Sequence, residues 1–196
     1  QLASGYIGSS VLDSHRFTLR RLCPALLLAA ILSACVPSTR INDDAAREAE
    51  ITIRSLMAAR ERGDVKLVED LFWPEATYDD FPNQHTYQGF QEIMGYVTAL
   101  HAWADDVYWS VGAVHITETG AIAEWIFSAT QARPIGTQVP VAMGREVMTN
   151  GVTLIQIENG RIVRAADYMD TTPMMLQLGG RLQMPGGSVI TLEDGR

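Results

Sequence analysis

Cysteine is scarce in this chain of 196 residues, occurring only at Cys23 and Cys35. Two thiols exclude a disulfide framework and a thiolate metal cluster. The histidines are scattered at 15, 85, 101 and 115. No HxH or HExxH spacing appears among them, so no metal site is expected. The adjacent acids Asp79-Asp80 and Asp105-Asp106 do not complete a metal motif either. No GxGxxG or Walker loop opens a helix, and no cofactor is expected. No apolar run reaches the roughly 20 residues of a membrane-spanning helix. Positive charge is outweighed, with 15 basic against 23 acidic residues and a net charge of −8. Such a surface repels nucleic acid and anionic headgroups, so a nucleic-acid partner is not expected.

The first 34 residues stand apart. A basic stretch, HRFTLRR (His15–Arg21), precedes a short apolar run, LCPALLLAAILSA (Leu22–Ala34). That order is the pattern of an export signal. The run ends in LSAC, Leu32–Cys35, which resembles the lipobox of bacterial lipoproteins. The resemblance implies cleavage before Cys35, lipidation of Cys35, and a membrane-anchored protein facing the periplasm or the outside. Residues 35–41 would then be a tether, 42–180 the folded domain and 181–196 a tail. Loss of Arg16, Arg20, Arg21 and Asp13 with the signal takes the charge from −8 to −10.

Within the domain, helical spacing comes first. Asn42 is placed to cap a helix in which Ala49, Ile53, Leu56, Met57 and Arg60 share one face. Gly63 ends it and Asp64 caps a second helix, with Leu67, Val68, Leu71 and Phe72 on its apolar side and Trp73–Ala76 as its stop. Thr77–Gly89 reads as two short strands around a turn. Phe90, Ile93, Met94 and Val97 mark a third helix running on through His101. Strand-like segments follow near Asp106–Thr117, Ala121–Gln131, Val139–Asn150, Val152–Glu158 and Ile162–Asp167. Turns are signalled at ETG, TNG and ENG. Thr171–Gly180 reads as a short helix with Pro173 in its first turn. Helices followed by antiparallel strands indicate an α+β fold.

Alternation places Val163, Ala165, Asp167 and Met169 on one face of the last strand. Asp167 is the one charge on that apolar face, a setting that raises a carboxylate's pKa by desolvation and suits acid/base work. Asp170 falls at the exit, where helix capping is its plainer task. His85 and His101 are further proton-transfer candidates because histidine titrates near neutrality. Tyr78, Tyr87, Tyr96 and Trp103 are placed to line an apolar cavity or fill a core. Trp125 and Phe127 do the same on their strand, with Glu124 on the alternate face. Arg145 interrupts an apolar strand, either as a solvated strand residue or as a group that binds a carboxylate or neutralises an enolate.

The segments AIAEWIFSATQ (Ala121–Gln131), GVTLIQIENGRIVRAADYMD (Gly151–Asp170), MMLQLG (Met174–Gly179) and YQGFQEIMGYV (Tyr87–Val97) resemble the NTF2-like superfamily. The nearest branches are the SnoaL-like polyketide cyclases and the limonene epoxide hydrolase-like group. The resemblance covers roughly residues 45–179. It implies a cone made of a curved mixed or antiparallel sheet packed against helices, often as a homodimer. It also implies an acid/base role for Asp167, the carboxylate of the ADY unit. The Arg-x-Asp arrangement of the epoxide hydrolase branch is missing from Ala123–Phe127, which counts against that reaction.

Three function classes remain open at this stage. One is a cofactor-free cyclase, isomerase or hydrolase acting on a small apolar or polyketide-like molecule. Its candidate catalytic residues are Asp167, His85 and His101. Its candidate binding residues are Tyr78, Trp103, Glu124, Trp125, Phe127, Arg145 and Met169. The others are a non-catalytic ligand-binding or envelope module, and a structural dimerisation domain.

Overall fold

The computed structural model describes residues 42–192. The export signal, Cys35 and the tether lie outside the described residues. Helix α1 spans Asp43–Arg62. The Asn42 side chain accepts a hydrogen bond from the Asp44 amide at 3.1 Å, and Asp43 and Asp44 complement the free N–H groups of the first turn. Gly63 ends the helix with φ 63°, a left-handed conformation that a side chain resists. Helix α2 (Val65–Leu71) is capped by the Asp64 carboxylate on the Leu67 amide.

The chain then forms β1 (Phe72–Asp80), a single 3-10 turn, β2 (His85–Gln88) and α3 (Gly89–Ala99). A second 3-10 turn at Leu100–Ala102, rather than continued α-helix, carries His101. The hairpin β3 (Ala104–Ile116) and β4 (Gly120–Gln131) leads to β5 (Arg145–Glu158) and β6 (Arg161–Met169). Helix α4 covers Thr172–Gln177, and β7 (Leu182–Gln183) pairs with β8 (Val189–Ile190) where an extended tail was expected. The Asp170 carboxylate accepts from the Thr172 amide at 2.8 Å, the capping task expected of it. That bond holds the Asp170 pKa below the usual value.

The sheet has six strands in the order β2-β1-β6-β5-β4-β3. Neighbours are antiparallel except β1 and β6, which run parallel, so the curved sheet is mixed. The architecture is α+β, with the helices packed against one face of this sheet. Register assigns the faces. On β4, β5 and β6 the odd-numbered residues share the helix-covered face, as the buried Ala121, Ala123, Trp125, Phe127, Val147, Ile155 and Ala165 record. The even-numbered residues lie on the other face, except Ile162, which is buried in the core beyond the register shift between Gln156 and Ile157.

Trp73–Ala76 lies beyond the end of α2 at Leu71, as expected, and belongs to β1. Its pairing with β6 breaks between Phe72 and Thr77, and Pro74, which has no N–H to give, sits inside that break. The Asn150-Gly151 pair does not turn the chain, because β5 runs through it unbroken. Gly151 lies opposite Trp125, and a Cβ there would run into the indole ring and come within 2.7 Å of the Tyr168 carbonyl oxygen. Close approach of a large neighbour, not a hairpin, requires this glycine. By contrast Asn159 (φ 48°) and Gly160 (φ 77°) do form the tight turn between β5 and β6.

Candidate functional site

The alternation read from β6 holds, and Asp167 enters the interior with 2% of its surface exposed. Its setting is not the bare apolar wall expected of an isolated acid. Arg60, reaching from the last turn of α1, places Nη1 3.1 Å from Oδ1 and 2.9 Å from Oδ2. The Tyr78 hydroxyl on β1 donates to Oδ1 at 3.0 Å. The Thr153 hydroxyl on β5 donates to Oδ1 at 2.6 Å. The Tyr96 hydroxyl on α3 donates to Oδ2 at 2.8 Å. Thr153 in turn accepts from Trp125 Nε1 at 2.8 Å. Five elements therefore converge on one carboxylate.

The cation has its own enclosure. The Arg60 guanidinium carbon lies 4.4 Å from the Trp109 ring centre, 5.7 Å from that of Tyr96 and 5.9 Å from that of Tyr78. Trp109 packs edge-on against Trp125 at 4.6 Å and against Phe127 at 4.9 Å. Burial pulls the Arg60 pKa down, but the charge and hydrogen bond of Asp167 outweigh it, and the net direction is upward. Arg60 stays charged at any working pH. The Tyr78 and Tyr96 phenols are pushed well above their ordinary values, first by burial and next, among the raising effects, by the adjacent Asp167 charge. Both remain neutral hydroxyl donors through the physiological range.

Tyr96 is the member of this set that is only partly buried. It stacks on Tyr87 at 4.6 Å, and Tyr87 meets the exposed His85 at 4.4 Å. A second buried acid, Asp80, is the register partner of Asp167 on β1. Its oxygens accept from the Asn83 amide at 3.3 Å and the Asn83 side chain at 2.7 Å, which fixes the turn before β2.

The other expected site residues divide. Tyr78, Trp125 and Phe127 join the Asp167 site directly or through its aromatic wall. Met169, partly buried, packs against the same core. His85 sits at the rim, where its ring meets Tyr87 rather than Asp167. His101 bonds through Nε2 to the Arg60 carbonyl at 2.8 Å, so it braces the backbone that carries the arginine and does not reach the carboxylate. Trp103 packs against the core, and its carbonyl accepts from the Ala132 and Arg133 amides.

Two of the expected binding residues stand apart from Asp167. Glu124 faces outward, where it pairs with His115 at 3.0 Å and lines a groove of about 570 Å³ on the open face of the sheet. Strand alternation puts it on the opposite side from Asp167. Arg145 donates from Nη1 to the Gln177 carbonyl at 3.1 Å, tying β5 to the end of α4. It stands eight positions along β5 from Thr153, roughly 27 Å at the usual strand rise. It is therefore remote from the carboxylate.

Arg60, Thr153 and Trp109 were not singled out as site residues in the sequence. Arg60 did carry a signal, since it occupies the apolar face of α1, and a charge there needs a buried partner. Among the described residues no group of three His, Cys, Asp or Glu is arranged to hold a metal ion. No helix among them is long and apolar enough to cross a membrane.

No curated protein matches the sequence. Solved structures do match. TsrD from Streptomyces laurentii is 22% identical, with a TM-score of 0.60, over 68% of this chain and 96% of its own. A Jannaschia sp. CCS1 protein named as a SnoaL-like polyketide cyclase is 13% identical, with a TM-score of 0.64, over 71% and 96%. An M. tuberculosis LEH-like epoxide hydrolase is 13% identical, with a TM-score of 0.54, over 68% and 90%. At these identities the likeness establishes the fold alone. The model of the SnoaL-like domain matches residues 53–165. That span starts inside α1, takes in Arg60, Tyr78, Tyr96 and Thr153, and ends within the strand that carries Asp167; the chain belongs to the SnoaL-like domain family.

Proposed function

We propose that this protein is a cofactor-free acid/base enzyme acting on a small apolar or polyketide-like molecule, as a cyclase, isomerase or hydrolase. One observation carries the reading: a fully buried carboxylate, Asp167, is linked through the Tyr96 hydroxyl at 2.8 Å to the more open side of the interior. In this reading a carbon acid gives its proton to the Tyr96 oxygen while the Tyr96 hydroxyl proton passes to Asp167 Oδ2. The C–H bond breaks, and its electron pair moves onto the conjugated carbonyl oxygen of the substrate. Return of the proton to another carbon completes an isomerisation, and attack of the enolate on a second carbonyl closes a ring. Trp109, Trp125 and Phe127 supply an apolar aromatic wall for the substrate body.

The test does not require the natural substrate. A panel of ketones and 1,3-diketones is incubated with the protein in D2O, and exchange of the α-protons is followed by NMR. The wild type is expected to accelerate exchange of at least one member. Tyr96→Phe keeps the ring and removes the relay, and should slow exchange about 100-fold or more, the scale of positioned acid/base catalysis. Exchange by Tyr96→Phe at the wild-type rate overturns the relay.

A specific observation favours a second reading. Asp167 Oδ1 accepts from three groups and Oδ2 from two, which saturates a carboxylate. A structural ion pair looks the same, and it fits a non-catalytic ligand-binding or envelope module. Failure of the whole panel to exchange, alongside clear ligand binding, selects this reading.

We further propose that the protein is exported, lipidated at Cys35, and paired as a homodimer through the open face of the sheet. That face exposes Tyr108, Ile126, Met148 and Tyr168: register sets Tyr108 and Met148 on either side of Ser128, Ile126 one row along between Ser110 and Asn150, and Tyr168 in the next row beside Val152. Sedimentation of the wild type as a dimer, and of Ile126→Glu/Met148→Glu as a monomer, is the expected outcome. A monomeric wild type removes the pairing.

A further inference from the structure

Two buried donors in the interior have no acceptor: Arg60 Nε and Trp109 Nε1. They belong to one stacked pair, since the Arg60 guanidinium lies 4.4 Å from the Trp109 ring centre. The pair is held in place from both sides. The Glu61 carboxylate, next in sequence to Arg60, accepts from the Trp109 amide at 2.9 Å. Asp167 fixes the other end of the guanidinium through Nη1. Neighbouring indoles are not left this way: Trp125 Nε1 donates to Thr153 at 2.8 Å and Trp73 Nε1 to the Glu158 carbonyl at 2.9 Å. A buried N–H without an acceptor bears the full cost of its desolvation, so two on one stacked pair mark a place for an oxygen.

The charge already beside the pair narrows what that oxygen belongs to. Asp167 already neutralises Arg60 at 2.9 Å. A second full anion would stand beside that carboxylate and be repelled. A neutral acceptor meets no such repulsion, and it gains a donor that is part of a cation. Both free groups are donors only, which excludes a hydroxyl or amine acting as donor toward them. The surrounding Trp125, Phe127 and Tyr96 rings suit an apolar or aromatic body.

We infer that Arg60 Nε and Trp109 Nε1 form the oxygen-binding subsite of this protein, and that its ligand is an uncharged apolar ketone whose carbonyl oxygen they hold. This rests on the acid/base reading and sharpens it. The carbonyl is anchored on the side of the guanidinium away from Asp167. Negative charge developing on the oxygen during proton removal meets N–H donors already in place, as in an oxyanion hole.

The test uses the full chain, 15N-labelled, in 1H–15N spectra that resolve the indole and arginine Nε–H signals. Three probes of one size are titrated: 2-tetralone, the hydrocarbon tetralin, and 2-tetralin carboxylate. The chain has four tryptophans, and Trp109→Phe assigns the signal of interest. The expected result is that 2-tetralone moves both the Trp109 and the Arg60 Nε–H signals. Tetralin should move neither downfield, and the carboxylate should bind more weakly than the ketone. Trp109→Phe should weaken 2-tetralone about three- to tenfold more than it weakens tetralin, the loss of one neutral hydrogen bond.

The proposal is overturned if both signals stay in place up to the solubility limit of 2-tetralone. It is also overturned if tetralin shifts them equally, if the carboxylate binds tightest, or if the indole contacts a slowly exchanging water that the ketone leaves undisturbed. The wild-type spectra decide these points even if Trp109→Phe does not fold. α-Deuteration of 2-tetralone in the same tube separates the two readings. Shifts without deuteration uphold the subsite and end the acid/base reading; deuteration without shifts does the reverse.

Discussion

Replacing Asp167 by Asn probes the interior most directly. The change is nearly isosteric, so packing is preserved while the negative charge is lost. Arg60 is then left as a buried cation without its counter-ion, enclosed by Trp109, Tyr78 and Tyr96. Removing one partner of a buried pair costs about 3–5 kcal/mol, mostly the penalty of the stranded charge. In a domain of this size about 1 kcal/mol moves Tm by roughly 2–4 °C, so Asp167→Asn should lower Tm by roughly 6–20 °C. The three hydroxyls of Tyr78, Tyr96 and Thr153 rotate to suit the amide and offset a little of this. The second half of the prediction concerns the pair. Arg60→Met/Asp167→Asn removes both charges and should recover much of the loss, giving a coupling of about 2 kcal/mol or more in a double-mutant cycle. Urea unfolding at constant m-value measures it, with heat unfolding as the check. If Asp167→Asn unfolds within about 1 kcal/mol of wild type, the interior electrostatics described above are wrong.

Other outcomes follow from the same contacts. The pKa values of Tyr78 and Tyr96 are raised in the folded state, so the unfolded chain loses their protons first. Stability should be unaffected below about pH 10, then fall as pH rises further, by at most about 1.4 kcal/mol per pH unit for each phenol. Tyr96→Phe should flatten that fall in a pH series of urea unfolding curves, and an unchanged slope counts against the assigned burial. Gly151→Ala drives a methyl into Trp125 and the Tyr168 carbonyl, and should cost about 1–3 kcal/mol by urea unfolding. Combining it with Trp125→Val should give less than the sum of the two losses, and simple additivity would place the clash elsewhere. For the anchor, intact mass of the membrane fraction should show a lipid adduct that Cys35→Ala abolishes; a membrane fraction that keeps its mass and location in Cys35→Ala contradicts lipidation.

Much of the frame was legible because its signals are local. Asn42, Gly63, Asp64 and the Asn159-Gly160 turn act within a few residues of themselves, and each stands where its chemistry placed it. The failures came where a distant residue decides. Asn150-Gly151 carries a turn signal, yet Trp125 on the next strand claims the space that Gly151 leaves. Glu124 and Arg145 have suitable chemistry for a site, but alternation turns one outward and distance along β5 removes the other. Residue type marks a candidate; only the face and the partner make it part of a site.

Arg60 and Asp167 show how far that principle reaches. Each was visible alone as a charge on an otherwise apolar face, one on α1 and one on β6. Neither environment tolerates a lone ion, because stripping water from a charge costs several kcal/mol beyond what dispersion returns. The cheapest resolution within one core is for opposite charges on two apolar faces to meet, and they do so at 2.9 Å across 107 positions of sequence. The pair also explains why the flanking residues are hydroxyls and an indole rather than more aliphatic carbon. Four hydrogen bonds and the ion pair with Arg60 are what hold this carboxylate inside. A charged helix residue at an apolar position is therefore a pointer to a buried counter-charge, and in this chain the counter-charge of Arg60 is Asp167.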